Sequence, residues 1–265
     1  MAKNTKVAST IRTNKVNKKQ QRIRYFSIDV ARGTAIAMMI AFHFSYDLNY
    51  FHFVDFDFYR DPFWLNFRTL IITLFLCLVG VSLQLSTGQG LNHRRYFSRL
   101  ALLIGSAMIV TIGSYLMFPK NAVLFGVLHF IALASVIGLL FRTFYWLNFL
   151  LGIGIIILGN LFQHEWFNLP TRHWIGFMPN KPQALDYVPL IPWLGVVLIG
   201  MFLAQITKKH GLLNSDTQKR SLLTRLLAQA GRHSLLIYLL HQPLLFAGFY
   251  LVNFMNSVNI HIAKV

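Results

Sequence analysis

The chain is poor in cysteine and in acidic residues. Its one cysteine, Cys77, excludes an intrachain disulfide and a metal cage built from several cysteines. Asp and Glu together number 8 against 25 Lys and Arg, and charged residues make up only 12% of the 265 positions. A chain that is 55% hydrophobic is too apolar for a soluble domain. The sequence therefore predicts a polytopic membrane protein.

Long apolar runs recur along the chain. A helix of about 20 apolar residues is long enough to cross a hydrocarbon core of about 30 Å. The runs predict helices at 28–47, 66–87, 99–118, 122–141, 144–162, 189–207 and 233–255. The chain has no evident internal repeat, and its tight connections favour antiparallel neighbours. We therefore predict an all-α integral membrane bundle of about seven transmembrane helices.

The basic residues are unevenly distributed between the connecting segments. Residues 1–24 contain many Lys and Arg and no acid, whereas the loop at 48–65 contains Asp55, Asp57 and Asp61. By the positive-inside rule, the N-terminus lies in the cytoplasm, and the loops at 48–65 and 163–188 lie outside. Because the net charge of +17 is spread in this way, it does not indicate a nucleic-acid-binding protein.

The same asymmetry defines the expected domains. We predict a disordered basic cytoplasmic tail at 1–24, a transmembrane domain at 25–258 and a short C-terminal tail at 259–265. The apolar stretch after the basic tail is long and has no small-residue cleavage site, so we do not expect it to be a signal peptide. The predicted location is the inner (cytoplasmic) membrane, as a multi-pass protein.

The first predicted helix carries a stripe of ionisable residues. Arg32 and His43 are eleven residues apart, so they share one helix face about 16 Å apart along the axis. Asp29 and Asp47 fall on the same face. Ionisable groups inside a membrane are costly unless they face a cavity or each other, so the stripe predicts a functional site. The alternative is that Arg32 snorkels to phosphates and His43 bonds a neighbouring helix.

We assign expected roles along this stripe by depth. His43, near the outer end, is the expected catalytic base or nucleophile, and Asp47 is expected to accept its second imidazole N–H. Arg32, near the inner end, is expected to bind an anionic donor from the cytoplasm. Asp29 is its expected partner and part of the substrate-binding set.

Three further residues are candidates for the site. His129 in the fourth helix has a depth similar to that of His43 and is expected to complete the catalytic group. His241 in the last helix is expected nearer the depth of Arg32, on the donor side. Trp193 follows Pro189 and Pro192 and is expected to cap the cavity and contact substrate. The alternatives are an interhelical hydrogen bond for each histidine and an interfacial anchor for the tryptophan.

The sequence offers little support for metal or nucleotide-loop chemistry. It has no P-loop and no dinucleotide-binding fingerprint, and the glycines at 152–160 lie in an apolar helix. His43, Asp47 and His52 are residue types that bind metals, but His52 falls in a loop and no further spacing supports them. We predict no metal site.

Several segments resemble one known family. RYFSIDVARGTAIAMMIAFHFSYDL is similar to the opening motif of the bacterial relatives of heparan-alpha-glucosaminide N-acetyltransferase. GVLHFIALAS, PWLGVVLIGMFL and GRHSLLIYLLHQPLL resemble the family's fourth, penultimate and final helices. The likeness covers about residues 22–255. The Arg32-to-His43 spacing is also similar to the signature of the broader membrane acyltransferase superfamily that O-acetylates surface polysaccharides.

The resemblance implies acetylation across a membrane. Acetyl-CoA or another acyl-CoA would bind from the cytoplasm, and its acyl group would reach a hydroxyl or amine of a glycan or lipid-linked sugar outside. By position, His43 matches the family's catalytic histidine and Arg32 matches the superfamily's paired basic residue. We expect neither the additional helices nor the large lumenal domain of the animal enzyme, so heparan is not the expected acceptor.

Other assignments stay open at this point. The main alternative is a small secondary transporter or channel in which the same stripe relays protons or binds solute. An odd helix number without paired halves weighs against it. The expected partners are acyl-CoA, the acceptor and membrane lipids, without nucleic acid. A homodimer, the choice between O- and N-acylation and an acyl-histidine intermediate are left open.

Overall fold

The computed structural model describes residues 25–88, 90–117, 119, 122–182, 186–211 and 221–262. These residues form eight α-helices, two short 3-10 turns (Glu165–Asn168 and Pro170–Arg172) and no strand. The helices are α1 Phe26–Tyr50, α2 Pro62–Thr87, α3 His93–Met117, α4 Val127–Leu140, α5 Trp146–Leu161, α6 Leu190–Lys209, α7 Leu222–Arg232 and α8 Ser234–Ile262.

The predicted all-α membrane bundle is confirmed, since every predicted apolar run coincides with one of these helices. In the described chain, α2, α3, α6 and the Ser234–Met255 part of α8 are long and apolar enough to cross a membrane. The helices α4 and α5 are apolar but shorter, with 14 and 16 residues. The 25-residue α1 is not among the four candidates and carries the ionisable stripe. Seven spans therefore remain a prediction.

One helix of the structure was not predicted, and the last helix is longer than predicted. The basic segment before the last helix contains α7, which the apolar runs did not indicate. At the other end, α8 continues to Ile262 and so passes beyond the predicted helix end at 255. The basic tail predicted at 1–24 lies outside the described residues.

Close helix crossings bring the polar stripe into the interior. A Cβ at Gly33 of α1 would overlap the carbonyl of Leu227 in α7, and a Cβ at Gly231 of α7 would overlap the carbonyl of Asp29. Only glycine at both positions allows this backbone-to-backbone contact, which is typical of packed membrane helices. The short helix α7 therefore lies directly against the first turns of α1.

The core of the bundle surrounds the middle of α1. Its apolar centre contains Ile36, Leu76, Phe130 and Val197, which come from α1, α2, α4 and α6. The stripe of α1 is enclosed in the same interior, since Asp29, His43 and Asp47 are all buried. The fold thus places ionisable side chains at two depths of one apolar bundle.

Candidate functional site

His43 lines a cavity near the middle of the bundle. The cavity is small and mostly apolar. Its polar or ionisable lining residues in the described chain are His43 of α1, Arg68 of α2, Tyr238 of α8 and Asp186, which precedes α6. The apolar lining residues are Met39, Phe42, Ile71, Ile72, Phe75, Leu76 and Val127.

Asp186 is the carboxylate that faces His43. Its Oδ1 lies 4.0 Å from His43 Nε2. Its Oδ2 accepts a hydrogen bond of 2.7 Å from the Tyr238 hydroxyl, and its backbone carbonyl accepts one of 3.1 Å from Val127 N–H. α4 therefore holds the backbone of Asp186, and α8 holds its carboxylate, which faces the imidazole of His43.

The expected hydrogen bond between His43 and Asp47 is wrong. Asp47 Oδ1 instead accepts a hydrogen bond of 2.8 Å from Gln242 Nε2 of α8. Within the described residues, His43 Nδ1 and Asp47 Oδ2 are buried and have no hydrogen-bond partner. The prediction failed because spacing along α1 puts Asp47 on the right face but cannot reveal that α8 supplies it with another donor.

His241 lies against His43, and not at the depth of Arg32 as expected. The two ring centroids are 4.8 Å apart, with the rings close to edge-on. His241 Nδ1 is 2.6 Å from the carbonyl oxygen of Tyr238, and a carbonyl only accepts, so Nδ1 carries the proton. Nε2 therefore presents a lone pair, and it has no partner in the described chain. The prediction failed because the depth of His241 depends on how α8 packs against α1, which the sequence of α8 does not reveal.

Arg68 ties the segment around Asp186 to α2. Its Nη2 donates to the carbonyl of Tyr187 at 3.2 Å. The Tyr187 hydroxyl donates to the carbonyl of His173 at 2.6 Å, and burial raises the pKa of this hydroxyl, which keeps it a donor. Sequence reasoning missed Asp186, Arg68 and Tyr238. The sequence held two signals. Arg68 stands near the start of one apolar run, and Asp186 is a lone acid shortly before another.

A second ionic cluster surrounds Arg32 at the other end of α1. Arg32 Nη1 donates to Asp29 Oδ1 at 3.1 Å, as the stripe predicted. Arg32 Nη2 donates to Ser82 Oγ of α2 at 2.8 Å, and Arg232 Nε of α7 lies 3.6 Å from Asp29 Oδ2. The buried carboxylate of Asp29 thus lies between two guanidinium groups.

Comparison with known proteins now adds a family to this geometry. Residues 24–243 match the family model described as heparan-alpha-glucosaminide N-acetyltransferase, catalytic. The chain belongs to this family. No curated protein and no solved structure matches the chain. The resemblance seen in the sequence is confirmed at the family level, and membership supports a membrane acetyltransferase in general.

The family match extends over both clusters. It contains α1 with Arg32 and His43, the segment with Asp186, and α8 as far as Pro243. The matched residues therefore include His241 and all the lining residues of the His43 cavity.

His129 and Trp193, which were both expected in the site, lie outside the cavity lining and away from the two ionic clusters. His129 sits at the start of α4, where Nδ1 accepts from Gly126 N–H at 3.3 Å and Nε2 lies 3.2 Å from Thr111 Oγ1. Both ring nitrogens thus hold the α3–α4 connection. Trp193 is half-buried and packs against the apolar core at the start of α6.

A second, more open cavity, which we call the vestibule, lies at the C-terminal end of α1. Its lining residues are Tyr46, Asn49, Tyr50, His52, Asp55, Phe56, Asp57, Phe58 and Tyr59. The ring of Phe58 is 5.5 Å from that of Phe42, which in turn is 5.8 Å from the His43 ring. One layer of aromatic rings therefore separates the vestibule from the His43 cavity.

The ionisable groups do not form a metal-binding set. Across the described ranges, no group of three or more His, Cys, Asp or Glu side chains is placed to hold a metal ion. The candidate site consists of imidazoles, a carboxylate and guanidinium groups, which is the chemistry of proton transfer and anion binding.

Proposed function

We propose that the chain transfers an acetyl or other acyl group from cytoplasmic acyl-CoA to a hydroxyl or amine of a glycan or lipid-linked sugar on the opposite side of the membrane. The observation that carries this proposal is the convergence of His43, Asp186 and Arg68 on one apolar, buried cavity in a chain of an acetyltransferase family. A thioester reacts with such acceptors when a base removes the proton and the oxyanion is stabilised.

His43 is the proposed base, and Asp186 is proposed to orient it. With Nε2 facing the carboxylate, the neutral tautomer protonated at Nε2 is favoured, and Nδ1 carries the lone pair. Nδ1 takes the proton as the acceptor oxygen or nitrogen bonds to the acyl carbon. The C–S bond then breaks, and the thiolate takes the proton from the imidazolium. Tyr238 supports this arrangement by holding the second oxygen of Asp186.

Arg68 and His241 are proposed to act on the acyl end of the donor. The Arg68 guanidinium lines the same apolar cavity as His43, where a positive charge stabilises the developing oxyanion strongly. His241 was expected to bind the donor, and its position next to His43 supports a contact with the thioester end rather than with the phosphates.

The donor's anionic part is proposed to bind near Arg32. This guanidinium lies at the end of α1 that the charge asymmetry predicts to be cytoplasmic. Its pairing with Asp29 and Ser82 fixes its direction, and a guanidinium presents several donors to a phosphate or amide oxygen.

The acceptor is proposed to enter from the vestibule. Aromatic rings alternate there with Asn49, Asp55 and Asp57, which suits stacking and hydrogen bonding to a polyhydroxy compound. The acidic residues disfavour a strongly anionic acceptor at this entrance.

The test is acyl transfer by the purified full chain with labelled acetyl-CoA and a panel of amino sugars and neutral sugars. We expect His43→Ala to reduce transfer by about 10²- to 10⁴-fold while acetyl-CoA binding persists, because a positioned base is lost and most donor contacts remain. His93→Ala, an exposed histidine at the start of α3, is the matched control and should not change the rate. Undiminished transfer by His43→Ala would rule out the assignment.

A further inference from the structure

The short helix α7 presents three different faces. At about 100° per residue, Ala228 and Gly231 fall on one side of the helix, and both are buried against α1. A second side carries leucines, and a third carries arginines. The first face packs against α1, and Arg232 of the third face approaches Asp29. The leucines and Arg225 must therefore suit what surrounds the helix.

The leucine face points away from the bundle. Leu222, Leu223 and Leu226 are exposed by 73%, 66% and 59%. Three such side chains on one face of an eleven-residue helix form an apolar strip that is unfavourable in water.

The arginine face lies beside the leucine face. Arg225 is exposed, and the side chain of Arg232 is 42% exposed although it approaches Asp29. Full burial in hydrocarbon would be costly for these guanidinium groups. A position at the membrane interface satisfies both faces, with leucines toward the acyl chains and arginines among the headgroups.

Further basic residues lie at the same end of the bundle. Arg32 at the start of α1 bonds Ser82 near the end of α2, and Gln84 bonds the carbonyl of Arg142 in the α4–α5 turn. Gln205 of α6 bonds the carbonyl of Phe144 in that turn. The exposed Lys208 and Lys209, which follow on α6, therefore belong to the end that α7 occupies.

We infer that α7 is an in-plane helix that binds the headgroups of anionic phospholipid. Charge complementarity selects this occupant, because a second copy packed through its own α7 would cover the leucines with a helix that contains no acidic residue. A lipid leaflet supplies acyl chains and phosphates side by side.

Lipid bound at α7 supports the Arg32 cluster. The carbonyl of Gly231 accepts from Arg32 Nη1 at 3.5 Å, and Arg232 lies beside Asp29. Anionic lipid that holds α7 in place thus keeps both groups against α1. This inference does not depend on acyl transfer, because it concerns lipid binding and stability alone.

The test uses the purified full chain in a neutral detergent. Phosphatidylglycerol and phosphatidylcholine with identical acyl chains are titrated separately, and bound lipid is counted by native mass spectrometry while the unfolding temperature is recorded. We expect phosphatidylglycerol to bind and to raise the unfolding temperature, and phosphatidylcholine to do neither. Glycerol phosphate, which has the headgroup charge without acyl chains, should not compete.

Substitutions locate the binding site. Arg225→Gln should weaken phosphatidylglycerol binding about fivefold, the equivalent of about 1 kcal/mol per basic residue at an anionic surface. Arg60→Gln makes the same charge change in the exposed α1–α2 loop and should have no effect. Leu226→Gln should weaken binding without changing the oligomeric state.

Four results would overturn the inference. Equal binding of the two lipids, or equal effects of Arg225→Gln and Arg60→Gln, would show that α7 does not select anionic headgroups. Competition by glycerol phosphate would identify a site for free phosphate instead. A dimer in detergent that Leu226→Gln dissociates would show that the leucines are covered by a second copy.

Discussion

Asp186 is the carboxylate proposed to orient the imidazole of His43. Its carboxylate faces Nε2, while Asp47, one turn further along α1, is paired with Gln242. The two carboxylates therefore differ in what their loss should do. Removing the charge of Asp186 leaves His43 without its orienting partner, whereas removing the charge of Asp47 changes a contact between α1 and α8.

We predict that Asp186→Asn lowers acyl transfer by about 10²- to 10⁴-fold, because the amide no longer favours the tautomer protonated at Nε2. Asp47→Asn is the matched control and should retain most of the rate, since its carbonyl oxygen can still accept from Gln242. The measurement is turnover at saturating acetyl-CoA. Equal losses in the two variants would contradict the assignment of Asp186 as the orienting group.

A second prediction concerns Arg32. We expect Arg32→Ala to weaken acyl-CoA binding and Arg32→Lys to restore it only in part, because the fork of a guanidinium is lost. Asp29→Asn should lower the yield of folded protein more than the affinity, since Arg32 and Arg232 then lose the charge between them. Isothermal titration of acyl-CoA into each variant is the measurement. If Arg32→Ala binds acyl-CoA as tightly as the unaltered chain does, Arg32 serves helix packing and not donor binding.

At the scale of helices, the crossing of α1 and α7 depends on glycine. The backbones approach so closely at Gly33 and Gly231 that a side chain at either position meets a carbonyl group. The crossing brings Arg232 of α7 next to Asp29 of α1.

We predict that Gly231→Ala destabilises the protein by about 1–3 kcal/mol, the usual cost of forcing atoms into a packed contact. Gly105→Ala is the matched control, because a Cβ there meets no atom within 4 Å. That substitution should be neutral or slightly stabilising, as alanine favours helix over glycine by up to about 1 kcal/mol. Thermal unfolding in detergent gives the comparison, and equal stability of the two variants would contradict the close crossing.

At the scale of the whole molecule, the ionisable groups lie at two levels. Asp29 and Arg32 lie at the end of the bundle that carries α7, and His43, Arg68 and Asp186 lie further along α1 under the vestibule. Transfer across a membrane requires these two levels to face opposite sides. The orientation is therefore part of the proposed function and can be tested by itself.

Cysteine labelling in a Cys77→Ser background tests the orientation. We predict that a cysteine replacing Asp55 in the vestibule reacts with an impermeant maleimide added outside intact cells. A cysteine replacing Lys209 at the end of α6 should react only after permeabilisation, because basic segments stay in the cytoplasm. The reverse pattern would exclude a cytoplasmic donor site at Arg32.

The sequence by itself determined the seven apolar helices of this bundle and the polar face of α1. Hydrophobic run length specifies where helices form, and helical periodicity places Asp29, Arg32, His43 and Asp47 on one side. Both signals are local, so they can be read without knowing the neighbours. The motifs around His43 also identified the family.

Only the tertiary structure decided which groups meet. Asp186 faces His43 from a connecting segment far along the chain. Gln242, in a helix near the other end of the chain, donates a hydrogen bond to Asp47. No spacing within α1 contains that information. The helix α7 was missed because it is short and carries its leucines and arginines on separate faces, so its sequence forms no long apolar run.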